Sequence, residues 1–119
     1  MIADTSALID HLRGVANASS ADATTVITAF ELLKWGRPGA RAKIKAMLSN
    51  LHIYELDLES AEIAADIYLA LKENGAMLAV PDILIAAIAV RNGEAVLTSD
   101  RDFKKIEEVF GAPKTILLR

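Results

Sequence analysis

The run Ala79–Asn92, read as Ala-Val-Pro-Asp-Ile-Leu-Ile-Ala-Ala-Ile-Ala-Val-Arg-Asn, limits the fold more than any other stretch. It reads as a helix with both ends marked. Pro81 suits a first turn, where no backbone N–H is required. Gly93 can end the helix in a left-handed conformation. Ile83, Leu84, Ile85, Ile88 and Val90 lie around most of the circumference, and a helix that is apolar nearly all round must be covered on every side. A chain with such a helix needs layers to bury it. The helix's single acid, Asp82, falls in the first turn beside the partly positive helix end, where an acid is commonly no more than a terminal charge. The residues beyond the helix give it a second meaning. A strand-like Ala95-Val96-Leu97 leads into Thr98-Ser99-Asp100-Arg101-Asp102-Phe103, so that Asp82, Asp100 and Asp102 gather on two adjoining elements and demand a cation.

Short apolar or β-branched runs alternate with helical spacings along the rest of the chain. Ile2-Ala3 reads as the end of a short buried strand, with Asp4 at its carboxyl end. Ser6–Arg13 reads as a helix stopped by Gly14, and Val15–Asp22 as loop. Thr24–Thr28 is expected to form a strand. A helix over Ala29–Trp35 should follow, with Phe30, Leu33 and Leu32 on its apolar side and a break at Gly36, Pro38 and Gly39. Next come a helix over Ala40–Leu48, a strand over His52–Leu56, and a helix capped by Asp57 or Ser60. That last helix places Ile63, Ile67, Tyr68 and Leu71 inward and stops at Asn74-Gly75. Beyond Asn92 the pattern predicts a strand over Ala95–Leu97, a helix from about Arg101 to Val109, and a strand over Thr115–Leu118. No strand-to-strand Asn-Gly turn occurs. The alternation therefore predicts a three-layer α/β/α sandwich around a central, mainly parallel sheet of four to five strands. At 119 residues, with no repeat and no linker, a single domain over residues 1–119 is expected.

Composition narrows the partners. Hydrophobic content is 53%, an excess that argues for apolar surface buried against another chain. The absence of cysteine excludes a disulfide framework and a thiolate metal site, and agrees with a reducing cytoplasm. The start lacks a signal peptide, and the apolar run Ile83–Val90 is too short to span a bilayer, so no membrane association is expected. A net charge of −3 excludes a strongly basic nucleic-acid coat but allows a local basic patch.

Ligands of open parallel sheets lie outside the carboxyl ends of the strands. By that rule Asp4 follows the first strand, Glu31 lies in the first turn of the helix after the second, Asp82 opens the buried helix, and Asp100 follows the fourth strand with Asp102 just beyond. The other acids read as solvated faces or caps. Acids gathered at one rim repel each other unless a divalent cation neutralises them. Carboxylate oxygens without His or Cys favour Mg²⁺ or Mn²⁺ over Zn²⁺. Such a cluster suits hydrolysis of phosphodiesters. Thr5, Ser6, Thr28, Thr98 and Ser99 either orient these carboxylates or cap helices. Thr98, two residues before Asp100, is the choice for a supporting role. Lys34–Lys45 carries Lys34, Arg37, Arg41, Lys43 and Lys45 and no acid. It reads either as a solvated face or as a wall for RNA phosphates. Trp35 within it either stacks on a base or belongs to the core. His11 and His52 have no metal-pair spacing, and neither a nucleophile elbow nor a Gly-rich phosphate loop is present.

Four motifs in order give the chain a resemblance. Asp4-Thr5-Ser6-Ala7-Leu8-Ile9-Asp10, Thr28-Ala29-Phe30-Glu31-Leu32-Leu33, Pro81-Asp82-Ile83-Leu84-Ile85-Ala86-Ala87 and Leu97-Thr98-Ser99-Asp100-Arg101-Asp102-Phe103 resemble those of the PIN-domain family, most closely its VapC-type toxin ribonucleases. The resemblance covers nearly the whole chain. It implies a PIN-like fold and a Mg²⁺- or Mn²⁺-dependent endoribonuclease with Asp4, Glu31, Asp82 and Asp100 as its acid set. Asp4 and Asp82 are then direct metal ligands. Glu31 binds metal directly or through water, or positions the attacking water. Asp100 completes the set, and Thr5, Thr98 and Asp102 support it. The resemblance also implies an RNA substrate touched by Lys34, Arg37 and Arg41, a homodimer, and a VapB-like antitoxin. Two alternatives stay open: a non-catalytic PIN-like module binding RNA or protein, and a PIN nuclease of RNA processing without an antitoxin. Only three residues precede Asp4, so the first strand is short or the natural start lies upstream, and the helical region between Glu31 and Asp82 is compact.

Overall fold

The computed structural model describes residues 1–119. Five strands, β1 (Ile2–Ala3), β2 (Ala23–Thr25), β3 (His52–Tyr54), β4 (Val96–Thr98) and β5 (Thr115–Leu117), form one sheet in the order β3-β2-β1-β4-β5. Every pairing is parallel. Six helices connect them: α1 (Thr5–Leu12), α2 (Val26–Trp35), α3 (Arg41–Ser49), α4 (Leu58–Glu73), α5 (Val80–Arg91) and α6 (Asp102–Phe110). This is the expected α/β sandwich.

The two-residue period of the strands divides the core into two layers. Ile2 and Val96 are register partners and face α4, α5 and α6, where Ile67, Leu71, Ile85, Ile88, Phe103 and Ile106 are fully buried. Ala3 and Leu97, also partners, face the other way onto α1, α2 and α3, with Leu8, Leu32 and Ile44. The unbroken apolarity of Ala79–Asn92 has its reason here. In α5, Ile83 and Ile85 through Ala89 are all buried, and the helix ends at Asn92 with Gly93 at φ 65°. Gly36 sits at a close approach of α2 and α3: a Cβ there would force the tip of the buried Ile44 side chain to move.

Strand order sets the site. The chain leaves β1 toward β2 and β3 on one side, and leaves β4 toward β5 on the other. The carboxyl ends of β1 and β4 are therefore the switch point of the sheet, where such folds bind ligands.

Four expectations are corrected. The strand expected over Thr24–Thr28 ends at Thr25, and α2 begins at Val26 rather than Ala29. Thr25 accounts for the switch: its side chain caps the helix by accepting from the Thr28 backbone N–H at 3.1 Å, so β-branched Val26 and Ile27 enter the first turn. Glu31 consequently lies in the second turn, not the first. Phe30, expected inward, is 63% exposed, while Leu32 takes the core position. Tyr68, also expected inward, is largely exposed on α4. Of the two proposed caps for α4, Asp57 serves, accepting from the Ser60 N–H. No helix is long and apolar enough to cross a membrane.

Candidate active site

Asp4 stands where β1 becomes α1. It is the N-cap of α1, with Oδ1 accepting from the Ala7 N–H at 2.9 Å. Two hydroxyls complete its shell. Thr98 Oγ1 at the end of β4 donates to Oδ2 at 2.7 Å, and Ser6 Oγ donates at 2.9 Å. Each hydroxyl also accepts from the loop after β4: Thr98 from the Asp100 N–H at 2.8 Å, Ser6 from the Ser99 N–H at 3.0 Å. Asp4 is thereby fixed to both strands of the switch point while only 2% exposed. Burial raises its pKa to about 6, against the pull of the Thr98, Ala7 and Ser6 hydrogen bonds, and Asp100 adds repulsion.

Asp82 is less compensated still. Burial first, then the charges of Asp100, Asp4, Glu31 and Asp102, raise its pKa to about 7. The N-terminus of α5 favours its ionised form by only about 0.3–1 kcal/mol, too little to offset that surround. Carboxylate oxygens of Asp82, Asp100 and Asp102 lie within 4.8 Å of one another. Asp100 Oδ1 accepts from the Asp102 N–H at 2.9 Å, which fixes the loop that presents both. Glu31 reaches the rim from the second turn of α2, where Thr5 Oγ1 donates to its Oε1 at 2.6 Å and lies 3.1 Å from Thr28 Oγ1.

The structure thus brings all five acids to one rim, in an arrangement the sequence did not resolve. The tightest trio is Asp82, Asp100 and Asp102. Asp4 and Glu31 lie within charge range of Asp82 but outside the trio, each tied to hydroxyls. Asp102, expected only to assist or cap, is one of the three. Ser6, one hydroxyl among several in the sequence, bonds Asp4 directly; its place two residues after an N-capping acid was the available signal. Thr98 and Thr5 each bond an acid.

No Lys, Arg or His pairs with any of the five, since the ion pairs of the chain all lie elsewhere. Buried carboxylates without counter-ions are costly. Oxygen donors at the spacing of Asp82, Asp100 and Asp102 fit a hard divalent cation, which carboxylates of this rim would hold.

The basic residues are more dispersed. Arg37 lines a pocket with Arg13, Trp35 and Ala40, Lys34 Nζ lies 5.5 Å above the Phe30 ring, and Arg41 is exposed at the start of α3. Lys104 turns away to the Thr115 carbonyl. His11 Nδ1 accepts from the Ala18 N–H, and His52 packs edge-on against Tyr54.

The PIN domain family model matches residues 1–109. The chain belongs to the PIN domain family. Solved structures agree with the fold. VapBC-5 of Mycobacterium tuberculosis is 27% identical, with a TM-score of 0.73 over 99% of this chain and 96% of that one. VapBC-1 of nontypeable Haemophilus influenzae is 15% identical, with a TM-score of 0.83 over 98% and 96%. The DNA-bound VapBC of Salmonella typhimurium is 22% identical, with a TM-score of 0.76 over 99% and 97%. No curated protein sequence matches the chain. PIN domains are nucleases, which supports a nuclease activity for this chain.

Proposed function

We propose that this PIN domain is a metal-dependent endoribonuclease and the toxin of a VapBC-type toxin–antitoxin pair. The observation that carries the reading is the rim itself: five carboxylates at the switch point, two with raised pKa values, none paired with a cation. A bound Mg²⁺ or Mn²⁺ supplies positive charge at the scissile phosphate and makes an attacking water more acidic. Asp4, Asp82 and Asp100 would hold it, with Asp102 beside them. Glu31, fixed through Oε1 by Thr5, orients the attacking water with its remaining oxygen. Thr98 and Ser6 hold Asp4 in place.

The toxin reading draws on neighbours that are VapBC complexes, and implies a VapB-like antitoxin for this chain. It also assigns the domain, residues 1–119, to the cytoplasm as a homodimer. Exposed Leu58 and Leu69 of α4 and Val80 of α5 are apolar surface that a second copy would cover.

The test is cleavage of a mixed RNA pool by purified protein with and without Mn²⁺ or Mg²⁺. The reading expects cutting only with metal. Cutting that persists in a chelator, or a wild-type protein that neither cuts RNA nor binds divalent metal, overturns it.

A further inference from the structure

The packed pair α1 and α2 has two unlike ends. At the rim end, Thr5 of α1 meets Glu31 and Thr28 of α2. At the far end Arg13, the C-cap of α1, places its guanidinium carbon 5.5 Å from the centroid of the Trp35 ring, at the last residue of α2. Glu31 and Trp35 are four residues apart on one helix. They therefore share a face and are separated by a rise of only about 6 Å. Trp35 is not core. It is 42% exposed and walls a cavity of about 330 Å³ together with Arg13, Arg37 and Ala40. The surrounding run Lys34–Lys45 contains five cations and no acid, on a chain of net charge −3.

An indole with open surface and two guanidinium groups suits one kind of occupant: an unpaired base with its flanking phosphates. Aromatic faces stack bases without regard to sequence, and guanidinium groups both stack and bind phosphate. We infer that the Arg13–Trp35–Arg37 pocket is a subsite for one nucleotide of a single-stranded RNA, one helical turn along α2 from the acidic rim. The base lies against Trp35, and Arg13 and Arg37 hold the adjoining phosphates. The strand is anchored by cations at this end so that its next phosphates can enter a rim that would otherwise repel them. The subsite rests on the nuclease reading and adds to it what the acids alone lack, a grip on substrate.

Trp35 is the only tryptophan in the chain, so its emission reports on this pocket alone. The experiment titrates the full-length Asp82→Asn protein with a short, end-labelled, mixed-sequence single-stranded RNA, reading tryptophan emission and label anisotropy together. The subsite predicts that emission is quenched in step with binding. Trp35→Leu weakens RNA binding roughly 5- to 150-fold, whereas Trp35→Tyr, which keeps a stacking face, stays near the parent value. Arg37→Gln lowers the slope of log K against log salt by about 0.7. In the active background Trp35→Leu raises KM and leaves kcat at saturation unchanged. Should Trp35→Leu fail to fold, the Trp35→Tyr and Arg37→Gln proteins and the quenching itself still decide. RNA that binds with no change in emission overturns the subsite and leaves the nuclease reading intact. RNA that is not bound by the Asp82→Asn protein overturns the subsite, and a wild type that in addition neither cuts RNA nor binds divalent metal overturns both. Quenching by a copurified protein partner but not by RNA also overturns it, and assigns the pocket to a protein interface.

Discussion

The sheet has acids at both of its ends, and the two ends treat them differently. At the amino edge, Asp22 precedes β2 and Glu94 precedes β4. The amino group of Met1 lies 3.1 Å from Asp22 and 2.7 Å from Glu94, and the Tyr54 hydroxyl donates to Glu94 at 2.7 Å. Both acids have lowered pKa values because the amino group bonds them. At the carboxyl edge Asp4 and Asp82 have raised values, through burial first and mutual repulsion after it. One edge is electrostatically closed. The other holds charge that nothing in the chain balances. Acid count alone does not mark a functional site; a lack of compensation does.

The largest expected break in this contrast is Asp82→Asn. Metal-dependent RNA cleavage should fall by at least about a hundredfold, since even partners behind metal ligands matter at that level. The same substitution removes repulsion, so the metal-free protein should gain on the order of 1 kcal/mol in urea unfolding at pH 8, stability that comes with the loss of function. Thr98→Val comes next. It removes the 2.7 Å bond to Asp4 and the acceptor for the Asp100 N–H, and should cut cleavage about 10- to 100-fold in steady-state assays.

A third prediction concerns pH. The raised values of Asp4, about 6, and Asp82, about 7, mean that the native state binds more protons than the unfolded chain above about pH 4. The stability these protons give is complete below the ordinary carboxylate value and is lost as pH rises through 6 and 7. Urea midpoints of the metal-free protein should therefore decline from pH 5 to pH 8, and Asp82→Asn should flatten the decline. Mn²⁺ at a hundredfold excess over its Kd should add about 2.7 kcal/mol at pH 8. Asp22 and Glu94 act with the opposite sign: their contribution is present above the ordinary carboxylate range and lost as pH falls. The smallest effect is Glu94→Gln, which should cost less than about 1 kcal/mol at neutral pH and leave cleavage unchanged.

Of the two edges, the carboxyl one was largely legible in the sequence, whereas the pairing of Met1 with Asp22 and Glu94 was not. The alternation of strands and helices with the sheet rule brought Asp4, Asp82 and Asp100 to one rim, because strand ends and capping positions are local features. The start of α2 was not legible. Thr24–Thr28 is β-branched throughout, and only the cap formed by Thr25 shows that the helix has begun by Val26. That error moved Glu31 by a turn and turned Phe30 inward. The closeness of Asp102 to Asp82 and Asp100, and the pairing of Arg13 with Trp35, depend on how separate elements pack, which no local pattern reports. Strand order, which makes β1 and β4 neighbours, is likewise a long-range property.

The most direct test is calorimetric titration of Mn²⁺ into the metal-free protein at pH 7, in two buffers of different ionisation enthalpy. An uncompensated rim should bind the ion and release protons, with roughly half a proton from Asp82 alone given a pKa of about 7. The Asp82→Asn protein should bind at least about a hundredfold more weakly and release fewer protons. Absence of binding to the wild type, or equal affinity and equal proton release in the two proteins, would contradict the account.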